Sequence, residues 1–235
     1  MEHEYIDKKI VRILESEPRG ALLDVPCGEG RFSEKARKMG FDVTAGDIIY
    51  SESTPEDFKY IDLNNPLPFP DEYFNAIICI EGIEHLENHF LVIREFSRIL
   101  KPGGLMILST PNVLSLESRW KFFWTGYHDM ASRPINDSLE NLYMEHVNLA
   151  PFNSLEFLFR INQFEIQTIE ASSYRKGSLF FMLLYPFIWL FTRLTVLHEK
   201  EQVQRNKNKK LLPFLLSPKL LAGMILIIAA RKKSI

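Results

Sequence analysis

Cysteine is nearly missing from this chain of 235 residues: Cys27 and Cys79 are the only two. Each falls at the end of a predicted strand, so no disulfide scaffold is expected and a reducing compartment is the default. An excess of one charge is missing too. Lys and Arg number 28 against 30 Asp and Glu, a formal charge of -2. That balance gives no general attraction to polyanions, and nucleic-acid binding would need a local basic patch. Met1-Glu-His-Glu4 has no apolar run behind it, so no signal peptide is expected. No internal repeat and no low-complexity linker interrupts the chain. What is present is a globular composition, 46% hydrophobic and 25% charged, at a length that suits one full domain. Phenylalanine is in excess, with 18 copies against 3 Trp and 8 Tyr, much of it in the second half.

Residues 3–16 carry helical spacing that Pro18-Arg19-Gly20 ends. Ala21 to Val25 is a short apolar run leading into Pro26-Cys-Gly-Glu-Gly30. Phe32 to Met39 has a helical face, with Gly40 placed as its C-cap. Strands are expected at Phe41–Ala45, Phe58–Ile61, Tyr73–Ile80 and, after a Lys101-Pro-Gly-Gly104 turn, Leu105–Ser109, with a helix at Phe90–Leu100. Between Asp47 and Phe58 there is room for only a turn or a short helix. The pattern weakens from Asn112 to Leu149, where Trp120, Phe122, Phe123 and Trp124 crowd together. It returns as a helix at Ser154–Phe159 and a strand at Phe164–Glu170. Strands alternating with helices predict a doubly wound, mostly parallel α/β sheet covered on both faces.

A strand that stops at a tight glycine turn and restarts as a helix lets a ligand approach the backbone, and Leu23 to Gly30 has that form. The spacing is Gly28-x-Gly30 without a third glycine, which disfavours a dinucleotide. Asp47 follows Gly30 by 17 residues, where a carboxylate accepts from both hydroxyls of a ribose. Asp62 ends the third strand and is placed to accept from an adenine amino group; Glu81 follows the fourth. Carboxylates ending consecutive parallel strands open onto one crevice.

These residues resemble the class I S-adenosylmethionine-dependent methyltransferases, in the small-molecule O-methyltransferase-like branch related to ubiquinone-biosynthesis and glycan-cluster methyltransferases. Leu23-Asp24-Val-Pro26-Cys-Gly28-Glu-Gly30 is similar to the family's first motif, and Asp47 matches its ribose-binding acid. Asp62 to Asp71 resembles the loop in which the acid and the following Leu63 bracket adenine. Phe74 to Glu81, Glu84-His85-Leu86, Arg98 to Gly104 and Ser109 to Asn112 are similar to later blocks. The resemblance implies S-adenosyl-L-methionine as cofactor, held by Asp24, Pro26, Gly28, Gly30, Asp47, Asp62, Leu63 and Glu81. It also implies a seven-stranded sheet whose last, antiparallel strand is Gly223–Ala230. Pro26 stands where many relatives carry glycine, and Asn75 where many carry Asp.

Methyl transfer to a hydroxyl needs alignment and a base, and histidine has a suitable pKa. His146, in Glu145-His-Val-Asn148, ranks first, then His85, then His128; His3 and His198 are expected to lie away from the catalytic edge. No Cys/His/Asp spacing suggests a metal. Leu179–Phe191 is almost wholly apolar and aromatic, is broken by Pro186, and is followed by Lys200, Arg205, Lys207, Lys209 and Lys210. It reads as a membrane-associated hairpin rather than a buried helix pair, with Tyr185 and Trp189 at headgroup level. Leu211–Ala230 has a rival reading as a membrane span.

The expected organisation is a methyltransferase domain over 1–172, with a cofactor core at 20–112 and an acceptor lid at 113–150. An apolar insert over 173–222 follows, then a last strand and basic tail over 223–235. The expected function is methyl transfer to a hydroxyl of a small, hydrophobic or lipid-linked acceptor, with N- or C-methylation, or an inactive membrane-docked protein, as alternatives. The expected partners are that acceptor and a membrane surface, with no nucleic acid and no specific protein. The expected place is cytoplasmic, peripheral or monotopic on the inner face of the membrane.

Overall fold

The computed structural model describes residues 2–50, 58–130 and 145–234. Helix α1 (Glu2–Glu15) buries Ile6, Ile10 and Leu14, spaced by four residues on one face. Strand β1 (Ala21–Asp24) leads through a glycine turn into α2 (Arg31–Lys38), β2 (Asp42–Asp47) and the short β3 (Lys59–Tyr60). Then come β4 (Phe74–Ile80), a 3-10 turn at Ile83–His85, α3 (His89–Ile99), β5 (Leu100–Pro111) and α4 (Leu116–Thr125). Beyond the lid segment lie α5 (Phe152–Ile161) and β6 (Phe164–Ala171). Helices α6 (Lys176–Phe181), α7 (Tyr185–Leu197), α8 (Gln202–Lys209), α9 (Leu212–Leu215) and α10 (Pro218–Ala222) precede β7 (Ile225–Lys232).

The seven strands form one sheet in the order β3-β2-β1-β4-β5-β7-β6. Strands β1 to β5 pair in parallel, and β7 runs antiparallel between β5 and β6, as the sequence implied. Alternation along each strand feeds two cores, one on each face. Leu23, Ile77 and Ile228 point into one; Leu22, Ile78 and Ile227 point into the other. Central strands buried on both faces explain the near-continuous apolar runs.

Two expectations are corrected and one rival reading is set aside. The Lys101–Gly104 turn is not a preface to the fifth strand but a bulge within it. Leu100 pairs with Phe74 and Leu105 with Ala76, so the four residues between them are extruded opposite Asn75, with Gly103 at φ 75°. The weak stretch after Asn112 contains a full helix, α4, capped by the Ser115 side chain on the Ser118 amide and closed by Gly126 at φ 71°. Leu211–Ala230 is not one span but short helices followed, as the last-strand expectation had it, by β7, which lies between β5 and β6. Of the lid, residues 131–144 lie outside the described residues, as do residues 51–57 after β2.

The insert returns to where it left. Tyr174 pairs with Gly223, and the Arg175 amide donates to the Ala222 carbonyl at 2.8 Å. Its last helix enters the core through Leu220; Phe214 and Leu215 of α9 pack part-buried against that core, and Ser178 of α6 is buried. No described residue of α7, α8 or α9 is fully buried. Helices α7 to α9 thus lie on the surface of this chain. Lys176–Leu197, 22 residues broken by a 3-10 turn, is long and apolar enough by composition to cross a membrane.

Candidate active site

Between β1 and β4 the strand order reverses, and the carboxyl ends of neighbouring strands open a crevice there. Its cavity, about 620 Å³, is lined by Asp24, Pro26, Gly28, Asp47, Asp62, Leu63, Glu81 and His85. Eight predicted residues thus meet at one place. Gly30 stands just behind, as the N-cap of α2 at φ 75°. Gly28, at φ 53°, has nothing within 4 Å of the position a Cβ would take, so the turn leaves open room over its backbone. The turn is held from below. The Gly28 amide donates to Asp47 Oδ2 at 2.8 Å, the Ile49 amide to Asp47 Oδ1 at 3.1 Å, and the Cys27 amide to the Gly46 carbonyl at 2.8 Å.

The other acids have distinct settings. Asp24 is buried, accepts from Ser33 Oγ at 2.6 Å, and is pushed up to about 7 by burial. Asp62 accepts from the Asn64 amide and Asn65 Nδ2, shaping the turn that sets the buried Leu63 against the crevice. Glu81 follows β4 at φ 47°, a left-handed conformation that costs a non-glycine residue energy. Its amide donates to Ser109 Oγ at 3.1 Å. His3 does not lie apart from the site, as the sequence suggested. From α1 it lines the crevice, with Nδ1 3.4 Å from Glu81 Oε2. Asn75 sits at the opposite end of β4 and accepts from Lys101 Nζ, so its departure from the family pattern does not touch the crevice.

Beside the crevice the fold joins two of the three ranked histidines. His85 and His146 meet edge to face, with centroids 4.9 Å apart, and His85 Nδ1 lies 3.0 Å from the Glu145 carbonyl. His146 Nδ1 is buried with no hydrogen-bond partner. Burial first, then His85, lowers the His146 pKa and favours the neutral ring. Glu84 is fully buried beneath them. Thr110 Oγ1 donates to its Oε2 at 3.1 Å, Oε1 has no partner, and burial pushes the carboxyl up to about 8. His128 is placed elsewhere: it is tied to Ser118 Oγ on α4 at 3.2 Å and stacked on Phe122. The sequence shows no local metal spacing, but Glu84, His85 and His146 each offer one ligand atom, all within 4.8 Å of one another. Two of these residues carry an unpartnered buried atom, and two nitrogens with one carboxylate suit a divalent transition metal.

The family model described as a methyltransferase domain matches residues 1–169. The chain belongs to that methyltransferase family. The ubiquinone biosynthesis O-methyltransferase of Xanthomonas campestris pv. campestris is 31% identical to it over 106 residues, 40% of this chain and 44% of the relative. The Rickettsia typhi enzyme of the same description is 31% identical over 118 residues, 46% of this chain and 48% of the relative. The chain thus spans about half the length of the curated relatives it matches. A SAM-dependent methyltransferase structure from Archaeoglobus fulgidus covers 97% of this chain and 94% of its own at TM-score 0.58 and 20% identity. A Mesorhizobium loti structure of the same kind covers 95% and 96% at TM-score 0.54 and 16% identity. These two show the shared fold.

The methyltransferase has S-adenosylmethionine as its cofactor, and the crevice fits it by the open glycine turn and the carboxylates ending β1 and β2. Glu84 was not among the site residues read from sequence. Its signal was the Glu84-His85 pair just after the fourth strand, but only the tertiary fold brings His146 to it.

Proposed function

We propose that this methyltransferase acts on a hydroxyl of a small hydrophobic acceptor carried by or dissolved in a membrane, such as a quinone precursor or lipid-linked sugar. The observation that supports this most is His85, which lines the cofactor crevice and touches His146. A neutral, half-buried imidazole thus stands one residue away from the cofactor wall. Asp47 holds the ribose, Asp62 and Leu63 bracket the adenine, and Asp24, Pro26, Gly28 and Gly30 shape the methionine end, with Glu81 on the floor. S-adenosylmethionine supplies an electrophilic methyl on a sulfonium. His146 takes the acceptor's proton and His85 orients it. The curated relatives are O-methyltransferases by description, which supports oxygen as the atom modified.

A second reading is favoured by the unpartnered Glu84 Oε1 and His146 Nδ1: the three-residue cluster holds a divalent cation that lowers the pKa of the acceptor hydroxyl. In either case the insert places the protein on the cytoplasmic face of the membrane, through its apolar arms and basic segment.

Lipid extracts from cells with and without the gene, compared by mass spectrometry, test the acceptor class: a lipid-soluble species should differ by one methyl. A difference confined to water-soluble species would sink the proposal. His146→Ala should lower turnover by about 10²- to 10⁴-fold while leaving S-adenosylhomocysteine affinity unchanged. Turnover restored by added manganese or zinc in wild-type protein after chelation would select the cation reading.

A further inference from the structure

Helix α4 was expected to be lid, and the insert to be anchor. The structure joins them into one apolar face. On α4, Trp120, Phe123 and Trp124 all face solvent, with Phe123 71% and Trp124 66% exposed. On the insert, Phe180 and Leu183 are 69% and 75% exposed, and Phe187, Leu190, Phe191 and Leu194 recur at helical spacing along the exposed side of α7. The two parts are fastened together. The Trp120 and Phe181 rings meet at 5.2 Å, the Glu117 amide donates to Ser178 Oγ at 3.1 Å, and Arg175 pairs with Asp129 just past α4. Gly177 leaves the space that the Glu117 side chain occupies.

Charge identifies the occupant. Residues 175–210 carry eight Lys and Arg against two Glu, in a chain whose formal charge is -2. Cores of protein interfaces are depleted in lysine, whereas a lysine-rich border around exposed Trp, Tyr and Phe suits an anionic lipid surface. Arg193 lies over the Trp189 ring at 4.7 Å, an arrangement that keeps its cation at the edge of the apolar face.

We infer that α4 and the insert together form a single face that seats on an anionic lipid bilayer, so that the lid itself rests on the membrane. This rests on the proposed membrane attachment of the insert and extends it to α4. The acceptor side lies directly behind. Ser118 of α4 holds His128, and the Met130 carbonyl, two residues further on, lies against the His146 ring. The membrane-facing helix and the histidine pair are therefore joined by one short stretch of chain, Ser118 to Met130.

All three tryptophans of the chain, Trp120, Trp124 and Trp189, belong to this face, so intrinsic fluorescence reads it directly. The test uses the full chain with vesicles of phosphatidylcholine alone or mixed with phosphatidylglycerol. In Trp189→Phe protein only the α4 tryptophans emit. Their emission should shift to shorter wavelength on phosphatidylglycerol vesicles and be quenched by brominated acyl chains. Phe123→Ser with Trp124→Ser should float with these vesicles several-fold less than wild type. Unshifted α4 emission in protein that floats would overturn the inference, leaving the insert as sole anchor. A soluble dimer whose α4 emission is already shifted and ignores vesicles would overturn it in favour of a second copy. Calorimetry with S-adenosylhomocysteine on the same samples keeps the readings apart. Shifted emission without cofactor binding upholds the bilayer face and removes the methyltransferase function.

Discussion

The two oxygens of Asp47 already accept from the Gly28 and Ile49 amides, so the carboxylate sets the glycine turn as well as facing the crevice. Removing it loosens the turn and deprives a ribose of its charge-assisted acceptor. Asp47→Ala should weaken S-adenosylhomocysteine binding by about 1.5–3 kcal/mol, on the order of 10- to 100-fold in Kd by calorimetry. An unchanged Kd would place the ribose elsewhere. Asp24 makes a prediction about pH. Burial raises its pKa from 3.8 to about 7, so the folded state keeps a proton that the unfolded chain releases between those values. Stability conferred by that proton is present below about pH 4 and is lost as pH rises towards about 7, by up to roughly 4 kcal/mol. Glu84, raised from 4.5 to about 8 by burial, acts in the same direction. The melting temperature of cofactor-free, chelator-treated protein should therefore fall from about pH 5 to about pH 8. Asp24→Asn should remove a substantial part of that slope and leave the remainder to Glu84. A slope identical to wild type would mean that Asp24 is ionised in the folded protein.

Among the elements, the insert gives the sharpest expectation. Changing Phe180, Phe187, Trp189 and Phe191 together to Ser removes four exposed rings and no described core residue. The variant should move from the membrane to the soluble fraction with its melting temperature and cofactor affinity intact, since each ring gains only when buried in lipid. Wild-type binding should weaken with added salt. A variant that loses cofactor affinity would mean the rings support the crevice. The elements legible in sequence were those whose apolar side faces the sheet. Strands β1, β2 and β4 showed as short apolar runs, and α2, α3 and α5 as helical stripes, because burial selects their residues. Helix α4 was illegible for the converse reason: its large side chains, Trp120, Phe123 and Trp124, face outwards, so its periodicity does not mark a core. The bulge at 101–104 looked like a loop because its Pro and Gly punctuate β5 without ending it. The crevice acids were legible because each ends a strand of a parallel sheet. Glu84 with His146, and His3 on α1, were not, because their meeting depends on tertiary contacts between distant segments.

At the scale of the molecule, the sheet and the insert are nearly separable bodies. The crevice is built from residues up to Leu86, His3 among them, and one of the two cores reaches the insert, at its last turns. Replacing residues 177–213 with a short Gly/Ser linker should leave a folded protein that binds S-adenosylhomocysteine within about twofold of wild type and no longer floats with vesicles, because closing a loop of different length costs little free energy. Loss of the cooperative melting transition would show instead that the sheet needs the insert.

The pairing of Tyr174 with Gly223 gives this a wider meaning. From the side of the sheet, everything between those residues is a single crossover, entered and left through one backbone rung. That rung works as a socket. Whatever is plugged into it must start and finish at the same place, against α4 at one end and in the core at the other, and between those ends its length, charge and greasiness are free to drift. A lineage could thus carry the same chemistry to a new surface, or to none, by exchanging the plug while the cofactor crevice goes on unchanged.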